Sequence, residues 1–525
     1  MNFFKKIGSI IFFTPFLLPF LNSGCGMTEA KNPSENFYYD SFSGGDWSSS
    51  PPYRDGSTSS EFYSYDSLTD IPAPDVLGDI EEEIQINVCD LPVPEPQILY
   101  LSADDSNSQA SPIIARWMIN QNMEVPWYII RTYEFTNYYD LNYQPAQFGR
   151  VNVFAQMKAD DEKENHYNLQ IGVQSHTVNS ENRRPMSITF SLDTSGSMSG
   201  TPIELEKAVC REIAGNLRSG DIVSMVKWND QQAIVLDSYE VTGPNDSRLL
   251  DAISGLSADG STDLHSGLVL AYQLANRNRR DGWLSRVILI SDGQANTGVT
   301  DEQIIAQNAD DSEREGIYLV GVGVGNGYDD TLMDTVTDKG KGAYIFIDSE
   351  EEAHKMFGER FYQNLEIAVM DVRVQLTLPS ILRMEIFFGE EVSTNPKEVE
   401  PQHLAPNDAM IFGLDLVSCG DLSETDTIKA LATYIDPSTR ENRNDSIEIP
   451  VLTLLDGEKR LVEKGVAIIK YAEGLKKISR AGTVGERYEI CISTKDYVSR
   501  VAASLGDSEL QEIQSLLERY CLLFQ

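Results

Sequence analysis

Positive charge is scarce in this chain of 525 residues, which has 42 Lys and Arg against 81 Asp and Glu and a formal net charge of -39. Proteins that bind the nucleic-acid backbone need a basic face, so this balance argues against nucleic acid as a partner. It favours a self-repelling protein that holds cations. Histidines are also few, and they form no HExxH or paired Cys/His motif, which argues against a zinc enzyme of the usual kinds.

Long apolar runs are scarce as well. The run from Ile7 to Leu21 follows Lys5 and Lys6 and is about 15 residues long, shorter than the roughly 20 residues that a membrane-spanning helix needs. It is typical of a secretory signal. The run leads to Ser23-Gly24-Cys25, which resembles a bacterial lipobox, although Leu21 stands one place further from Cys25 than in the usual pattern. We expect export, a signal segment over 1–25 and a lipid anchor on Cys25 in the cell envelope. The alternative is a plain cleaved signal.

Cysteines are too few and too irregularly spaced for a disulfide framework. If the chain is exported, the cysteines beyond Cys25 lie in a compartment that permits disulfides. Their number is odd, so at least one stays unpaired. These residues are Cys89, Cys210, Cys419, Cys491 and Cys521.

The segment 26–92 is rich in Ser, Gly, Tyr and Asp and poor in aliphatic side chains. Such a composition cannot bury enough apolar surface to offset the entropy of ordering, so we predict a disordered, acidic, Ser-rich tether. The segment 93–182 has a short helix near Ile113. It then alternates apolar and polar residues from Val151 to Met157 and from Tyr167 to Val173, the pattern of a half-buried β-hairpin.

Strands and helices alternate from 183 to 366, which predicts a doubly wound, mostly parallel, Rossmann-like α/β sheet. The continuous apolar run Val287–Ile290 is typical of a strand buried on both faces. Strands are expected at Met186–Leu192, Ile222–Trp228, Ala233–Leu236, Val287–Ile290, Ile317–Val324 and Ala343–Ile347. Helices are expected at Thr201–Leu217, Leu249–Leu256, His265–Ala275 and Ile304–Glu315, and from Glu350 onward.

Period-two alternation returns in 367–457, with strands expected at Met410–Val417, Thr427–Ile435 and Ile447–Leu455. This segment is too small for two independent sandwiches. The earlier hairpin is therefore expected to complete the same sheets, so that the α/β region is inserted in, or flanked by, a β-sandwich-like domain. The segment 458–525 is predicted to be helical, with a capping box starting at Ser508.

Three loops at the carboxyl edge of the predicted α/β sheet carry oxygen-bearing side chains. Asp193, Ser195 and Ser197 follow the first strand, Thr262 precedes a helix, and Asp292 ends a buried strand. Loops at this edge are where doubly wound sheets bind ligands. The DxSxS motif alone is weak, but the three loops together predict three hydroxyls and two carboxylates at one point.

An all-oxygen site selects a hard divalent ion, Mg²⁺ first and Mn²⁺ or Ca²⁺ after it. Five ligands leave a coordination position open, and at a surface that position can accept an Asp or Glu side chain of a protein partner. Asp263, next to Thr262, is a candidate for a supporting role behind the ligands.

These residues resemble the metal-ion-dependent adhesion site of von Willebrand factor type A (VWA) domains, with a resemblance that covers about Pro185 to Tyr362. More loosely, Ser102–Ser108 and Arg131–Asp140 resemble the region before the VWA domain in a family of bacterial envelope proteins, and Ala467–Leu475 resembles the C-terminal region of that family. The resemblance implies metal-dependent protein binding, in adhesion or assembly.

Two other functions stay open. A Mg²⁺-assisted hydrolase needs a nucleophile or a positioned base beside the metal. Here Ser195 stands where a DxDx(T/V) phosphatase loop has its second aspartate, so we expect no enzyme. The other alternative is a structural scaffold with a vestigial metal site.

Overall fold

The computed structural model describes residues 88–90, 96–104, 108–293, 316–325, 333, 335–337, 340 and 342–525. The predictions for Cys25, for most of the tether and for the helix at Ile304–Glu315 lie outside these residues. The strands are β1 Gln97–Ser102, β2 Asn152–Ala159, β3 His166–Gln174, β4 Met186–Asp193, β5 Ile222–Trp228, β6 Gln232–Glu240, β7 Leu284–Ser291, β8 Ile317–Val324, β9 Tyr344–Ile347, β10 Val369–Leu378, β11 Leu382–Phe387, β12 Glu391–Ser393, β13 Gln402–Leu404, β14 Ala409–Ser418, β15 Thr427–Ile435 and β16 Asn442–Pro450.

The α-helices of the described residues, with the bounds that the structure gives them, are α1 Ala110–Asn120, α2 Thr132–Tyr138, α3 Thr201–Asn216, α4 Ser247–Ser254, α5 Leu264–Asn278, α6 Glu350–His354, α7 Phe361–Leu365, α8 Val451–Asp456, α9 Arg460–Arg480, α10 Val484–Leu505 and α11 Ser508–Cys521. A π-helical turn, Lys355–Glu359, joins α6 to α7.

The α/β sheet has the strand order β6-β5-β4-β7-β8-β9. All neighbouring pairs are parallel except β5 and β6. Every residue of β4, β7 and β8 is buried, so both faces of the central strands are covered. Helix α5 packs tightly on the sheet because Gly267 meets the ring of Trp228, where an added Cβ would lie 2.3 Å from the ring. The predicted doubly wound fold is confirmed.

Two antiparallel sheets form a β-sandwich from strands on both sides of the α/β region. One has the order β12-β1-β10-β15-β16, with β13 also paired to β10, and the other has the order β11-β14-β3-β2. Leu99 and Leu376 of the first sheet share an apolar core with Met157, Leu169 and Phe412 of the second. Because β1 pairs with β10 and β3 with β14, the α/β region is an insertion in this sandwich. The six segment boundaries stay predictions.

The chain enters and leaves the α/β region at the sheet edge where β4 begins. Arg184, just before β4, donates from Nε to Oε1 of Glu366 at 2.8 Å, just before β10. The neighbouring Arg183 forms a buried ion pair with Asp221, which also accepts a hydrogen bond from the Met186 N–H at 3.0 Å. These contacts fix the two connections side by side.

Arg116 of α1 connects the end of the α/β region to the surrounding helices. Its guanidinium donates to both carboxylate oxygens of Asp348, at 2.7 and 3.0 Å, and to Glu352 at 2.8 Å. It also donates to the hydroxyl of Tyr138 in α2 at 2.8 Å. The ion pairs are largely buried, with 14% of the Arg116 side chain exposed. Removal of the guanidinium would therefore leave the carboxylates of Asp348 and Glu352 without this cationic partner.

Two disulfides lie within the described residues. Cys89 is bonded to Cys419, and Cys491 of α10 to Cys521 of α11, whereas Cys210 is free and buried. The expectation that at least one cysteine stays unpaired is consistent with this pattern. None of the helices in the described ranges has the length and apolarity that crossing a bilayer requires.

Two local predictions are wrong. The strand expected over Ile447–Leu455 ends at Pro450, and α8 follows directly, because proline lacks the N–H that would extend the ladder and fits the start of a helix. The capping box expected from Ser508 is replaced by Asp507, whose carboxylate accepts hydrogen bonds from the N–H groups of Glu509 and Leu510, each at 3.1 Å.

Candidate metal centre

Asp193 is the last residue of β4 and is fully buried. Its Oδ1 accepts a hydrogen bond from the Ser195 N–H at 2.9 Å, and its Oδ2 accepts one from the hydroxyl of Ser291 at 2.6 Å. These two bonds fix the orientation of the carboxylate. Ser291 has no predicted role in the metal site. Its position at the end of a buried strand, immediately before Asp292, could have indicated one.

The two serines of the DxSxS motif lie side by side. The Oγ atoms of Ser195 and Ser197 are 3.1 Å apart, because the 3₁₀ turn Gly196–Met198 folds the loop back on itself. Ser195 is buried and Ser197 is exposed. The motif therefore begins at a buried residue, Asp193, and ends at a solvent-exposed rim, Ser197.

Backbone hydrogen bonds join this motif to the loop that carries Thr262. The Gly196 N–H donates to the Gly260 carbonyl at 2.9 Å, and the Asp259 N–H donates to the Thr194 carbonyl at 2.8 Å. Gly260 has φ +83°, a left-handed conformation that favours glycine. Thr262 lies two residues further on and is buried. The second loop is thus held against the first.

Asp263 has a structural partner. Its carboxylate accepts a hydrogen bond from the Ser266 N–H at 3.1 Å, so it is the N-cap of α5. Its own N–H donates to the carbonyl of Asn229 at 2.8 Å, which fixes the loop between Gly260 and the helix. A supporting role behind Thr262 stays a prediction.

Asp292 follows β7 directly and is buried. Its charge is one of the causes that raise the pKa of Asp193, so the two carboxylates lie within electrostatic reach. The end of β8 lies alongside: a Cβ added to Gly325 would lie 3.9 Å from Cβ of Asp292 and 3.0 Å from Cγ of Pro202. Asp292 and the first turn of α3 therefore share one edge of the sheet.

The electrostatics of these residues suit a cation. Burial raises the pKa of Asp193 to about 6, hydrogen bonds from Ser291 and Ser195 lower it in part, and the charge of Asp292 raises it again. A positive ion between two such carboxylates removes their repulsion. Carboxylate and hydroxyl oxygens are ligands that Mg²⁺, Mn²⁺ and Ca²⁺ accept. The residues present therefore fit a small, hard divalent ion.

The described part of the chain contains no group of three or more His, Cys, Asp or Glu side chains that could hold a metal ion. The predicted set is of a different kind, since it has only two carboxylates and relies on the hydroxyls of Ser195, Ser197 and Thr262 for its other oxygens. Neutral hydroxyls leave most of the charge of a bound cation unquenched. Such an ion attracts an anionic ligand from outside.

Glu206 is a buried carboxylate that the sequence analysis missed. It lies in α3 and is fully buried, and burial and the charge of Asp193 raise its pKa well above its usual value. The helical pattern could have indicated that Glu206 is buried, because it lies on the same face of α3 as three buried apolar residues, Ile203, Cys210 and Ile213.

An open depression of about 600 Å³ lies beside this edge of the sheet. It is bounded by the first turns of α3 and α6, and Gly200, Glu204, Ser349 and Glu350 are among its lining residues. Gly200 stands three residues after Ser197 in the chain, and none of the five predicted ligands lines the depression.

Comparisons with known proteins match part of this chain. The family model of the von Willebrand factor type A domain matches residues 187–359. The uncharacterized protein YfbK of Escherichia coli (strain K12) is 31% identical over 210 residues, which cover 40% of this chain and 36% of that protein. The uncharacterized protein sll0103 of Synechocystis sp. is 24% identical over 210 residues, which cover 40% of this chain and 49% of that protein.

Among solved structures, a von Willebrand factor type A protein from Catenulispora acidiphila matches with a TM-score of 0.46 and 14% identity, covering 72% of this chain and 91% of that one. The matched segments span about a third to a half of the two curated relatives. The family match falls on the inserted α/β region and includes Asp193, Ser195, Ser197, Thr262 and Asp292. Residues 187–359 of this chain are therefore a von Willebrand factor type A domain.

Proposed function

We propose that this protein is a divalent-cation-dependent protein-binding module that works in adhesion or assembly at the bacterial cell envelope. Asp193, Ser195, Ser197, Thr262 and Asp292 would hold Mg²⁺, or Mn²⁺ or Ca²⁺ in its place. The ion would supply a positive charge that accepts an Asp or Glu side chain of a protein partner.

The observation that carries this proposal is the contrast in burial across the DxSxS motif. Asp193 and Ser195 are fully buried and held by hydrogen bonds, whereas Ser197 is exposed. The carboxylates sit where water screens their charge poorly, and the rim stays accessible to another protein.

The protein partner follows from the domain, since VWA domains commonly mediate protein–protein contacts. An acidic ligand residue follows from the chemistry, because a hard cation with few anionic ligands prefers a carboxylate oxygen. Nucleic acid is not proposed as a partner, since the net charge of -39 repels its backbone.

The envelope location rests on the signal-like segment 1–25 and on the two disulfides. Disulfides such as Cys89–Cys419 and Cys491–Cys521 persist in exported proteins and are rare in the cytosol. We propose lipidation of Cys25 as the membrane attachment. Mass spectrometry of the exported protein tests it, because a Cys25→Ser variant should lose the lipid mass and leave the membrane fraction.

Two alternatives have their own signatures. In a scaffold with a vestigial site, partner binding survives chelation of the metal. In a Mg²⁺-assisted hydrolase, a model phosphate or ester is turned over by rigorously purified protein and the turnover is lost in Asp193→Ala. We expect no turnover, because Ser195 replaces the second aspartate that the phosphatase loop needs.

The test of the proposal has two arms and uses the full chain in detergent. Calorimetry measures Mg²⁺ binding, and pull-down from envelope extracts of the source bacterium measures partner retention with Mg²⁺ or with EDTA. Asp193→Ala should abolish both signals while circular dichroism stays unchanged. Asp259→Asn, an exposed carboxylate of the neighbouring loop, is the matched control and should retain both. Retention that persists in EDTA and in Asp193→Ala would contradict the proposal.

A further inference from the structure

Three neighbouring strands of the β-sandwich bring a lysine, an asparagine and an aspartate into one row. Lys158 of β2 is paired with Asn168 of β3, and Asn168 is paired in turn with Asp415 of β14. Residues paired in this way project to the same face of a sheet, with Cβ atoms about 4.5–5.5 Å apart. An amine, a carboxamide and a carboxyl group are therefore neighbours, far from the α/β region in the sequence.

Helix α9 covers the face of the sheet on which this row lies. Gly413, two residues before Asp415 on the same face of β14, packs against the helix, since a Cβ added there would lie 2.6 Å from Cδ1 of Ile469. Lys158 and Asn168 are buried, with 7% and 6% of their surfaces exposed. Lysine is seldom buried to this degree without a specific partner. Burial also keeps bulk water away from the three side chains.

The amide of Asn168 is satisfied on one side only. Its Nδ2 donates to Oδ1 of Asp415 at 2.7 Å, whereas its Oδ1 is buried and accepts no hydrogen bond from the residues that the structure describes. Burial raises the pKa of Asp415, and the hydrogen bond from Asn168 lowers it only in part. A half-turn of the amide would bring Oδ1 against Asp415, which could then donate to it in its protonated form. Such a bond polarises the amide and makes its carbon electrophilic.

Lys158 has the length to reach that carbon. Its Nζ is paired with Oδ1 of Asp161 at 3.0 Å, and 39% of the Asp161 side chain is exposed, so water competes for this ion pair. The flexible four-carbon stem of lysine is long enough to span the gap of about 5 Å between paired Cβ atoms. Rotation of the stem would move the amine from Asp161 to Cγ of Asn168.

We propose that Lys158 and Asn168 form an isopeptide bond, an amide between the two side chains, with Asp415 as the group that transfers the protons. Lys158 gives a proton to Asp415, and its free amine adds to Cγ of Asn168. The Nζ–Cγ bond forms and the Cγ–Nδ2 bond breaks. Nδ2 leaves as an ammonium ion, with one proton from Nζ and one from Asp415, whose carboxylate is restored. The reaction consumes no oxidant and no other reactant.

The bond would fasten an edge strand. β2 is the last strand in the order β11-β14-β3-β2, so it is held in this sheet by β3 alone. Edge strands are where a sheet opens and where it pairs with other chains. A covalent bond between Lys158 and Asn168 would prevent β2 from separating from β3. This role is independent of the proposed metal site.

Tryptic digestion of the full chain, followed by mass spectrometry, tests the bond directly. An acylated Lys158 resists trypsin, so the bond should join peptides 151–163 and 164–183 in one species. That species should be about 17 Da lighter than the two peptides together, because ammonia is lost. Without the bond, trypsin releases peptides 151–158 and 164–183 separately.

Two kinds of variant assign the roles. Asp415→Ala should yield the separate peptides while circular dichroism shows an unchanged fold, and Asp415→Asn covers the case in which the alanine variant folds poorly. Lys163→Arg, at an exposed lysine of the same hairpin, is the matched control and should retain the linked species.

Three results would overturn the inference. Separate peptides alone from the folded parent would show that the bond does not form. A linked species that persists in both Asp415 variants would remove Asp415 from the reaction. Fragmentation spectra that join Asn168 to a different amine, such as that of Lys470 in α9, would show that Lys158 is not the nucleophile.

Discussion

Replacement of Asp193 by Asn should change stability in opposite directions with and without metal. Burial raises the pKa of Asp193 from 3.8 to about 6, so the folded state holds its proton more tightly than the unfolded state. The stability linked to this group is therefore full below pH 3.8 and is lost as the pH rises to about 6. The shift of about two units corresponds to about 3 kcal/mol at pH 7.5.

In the presence of metal the sign reverses. Mg²⁺ at 1,000 times its dissociation constant should stabilise the native parent by about 4.1 kcal/mol, because it binds the folded state alone, and this gain exceeds the cost of about 3 kcal/mol of the buried carboxylate. The Asp193→Asn variant should not be stabilised by Mg²⁺. Its free energy of unfolding should also lack the part of the pH dependence between pH 4 and 6 that comes from Asp193. Metal-free Asp193→Asn should thus be more stable than the metal-free parent at pH 7.5, by up to about 3 kcal/mol.

Urea unfolding at pH 4, 6 and 7.5, with Mg²⁺ or with EDTA, measures both effects. The difference between parent and variant isolates Asp193 from other titrating groups, and Asp259→Asn controls for the loss of a loop carboxylate. Two results would refute the reasoning: a parent–variant difference that is constant from pH 4 to 7.5 in EDTA, or a variant that Mg²⁺ stabilises as much as the parent.

Three further predictions concern the rest of the chain. Burial raises the pKa of Asp408 to about 7, so the stability linked to it is full below its usual pKa and lost as the pH rises to 7; Asp408→Asn should flatten that part of the urea-unfolding profile. Arg116→Ala leaves the largely buried Asp348 without its ion pair and should cost about 3–5 kcal/mol in urea unfolding, with less lost in Arg116→Lys. Cys89→Ser opens the bond to Cys419 and should lower the free energy of unfolding by about 2–4 kcal/mol; free thiols at both positions in exported protein, found by mass spectrometry, would contradict that bond.

The α/β region was predictable because local pattern and tertiary environment agree there. The unbroken apolar run Val287–Ile290 lies in β7, whose residues are all buried. Asp193 ends β4 and Asp292 directly follows β7, so both lie at the same edge of the sheet. A parallel sheet fixes which strand ends meet, so the positions of the site residues follow once the strands are recognised.

Other features depend on contacts that no local pattern records. Short strands such as β12 and β13 exist because β1 and β10 offer them partners, and the pairing of β3 with β14 spans the whole inserted domain. Pro450 ended a strand that alternation alone would have continued. The full burial of Glu206 depends on which groups surround α3 in space, so only its place on an apolar helix face was visible in the sequence.

The way the domain is inserted determines how it would respond to tension. Both connections are at the sheet edge where Met186 begins β4, and the proposed grip is at Asp193, the other end of the same strand. A bound partner that pulls on the proposed metal site applies force along β4, in the middle of the sheet. Because β5 and β7 flank β4 along its length, pulling it free means shearing two rows of hydrogen bonds together instead of peeling one row bond by bond. A force between the two ends of β4 is therefore resisted by hydrogen bonds along the whole length of the strand.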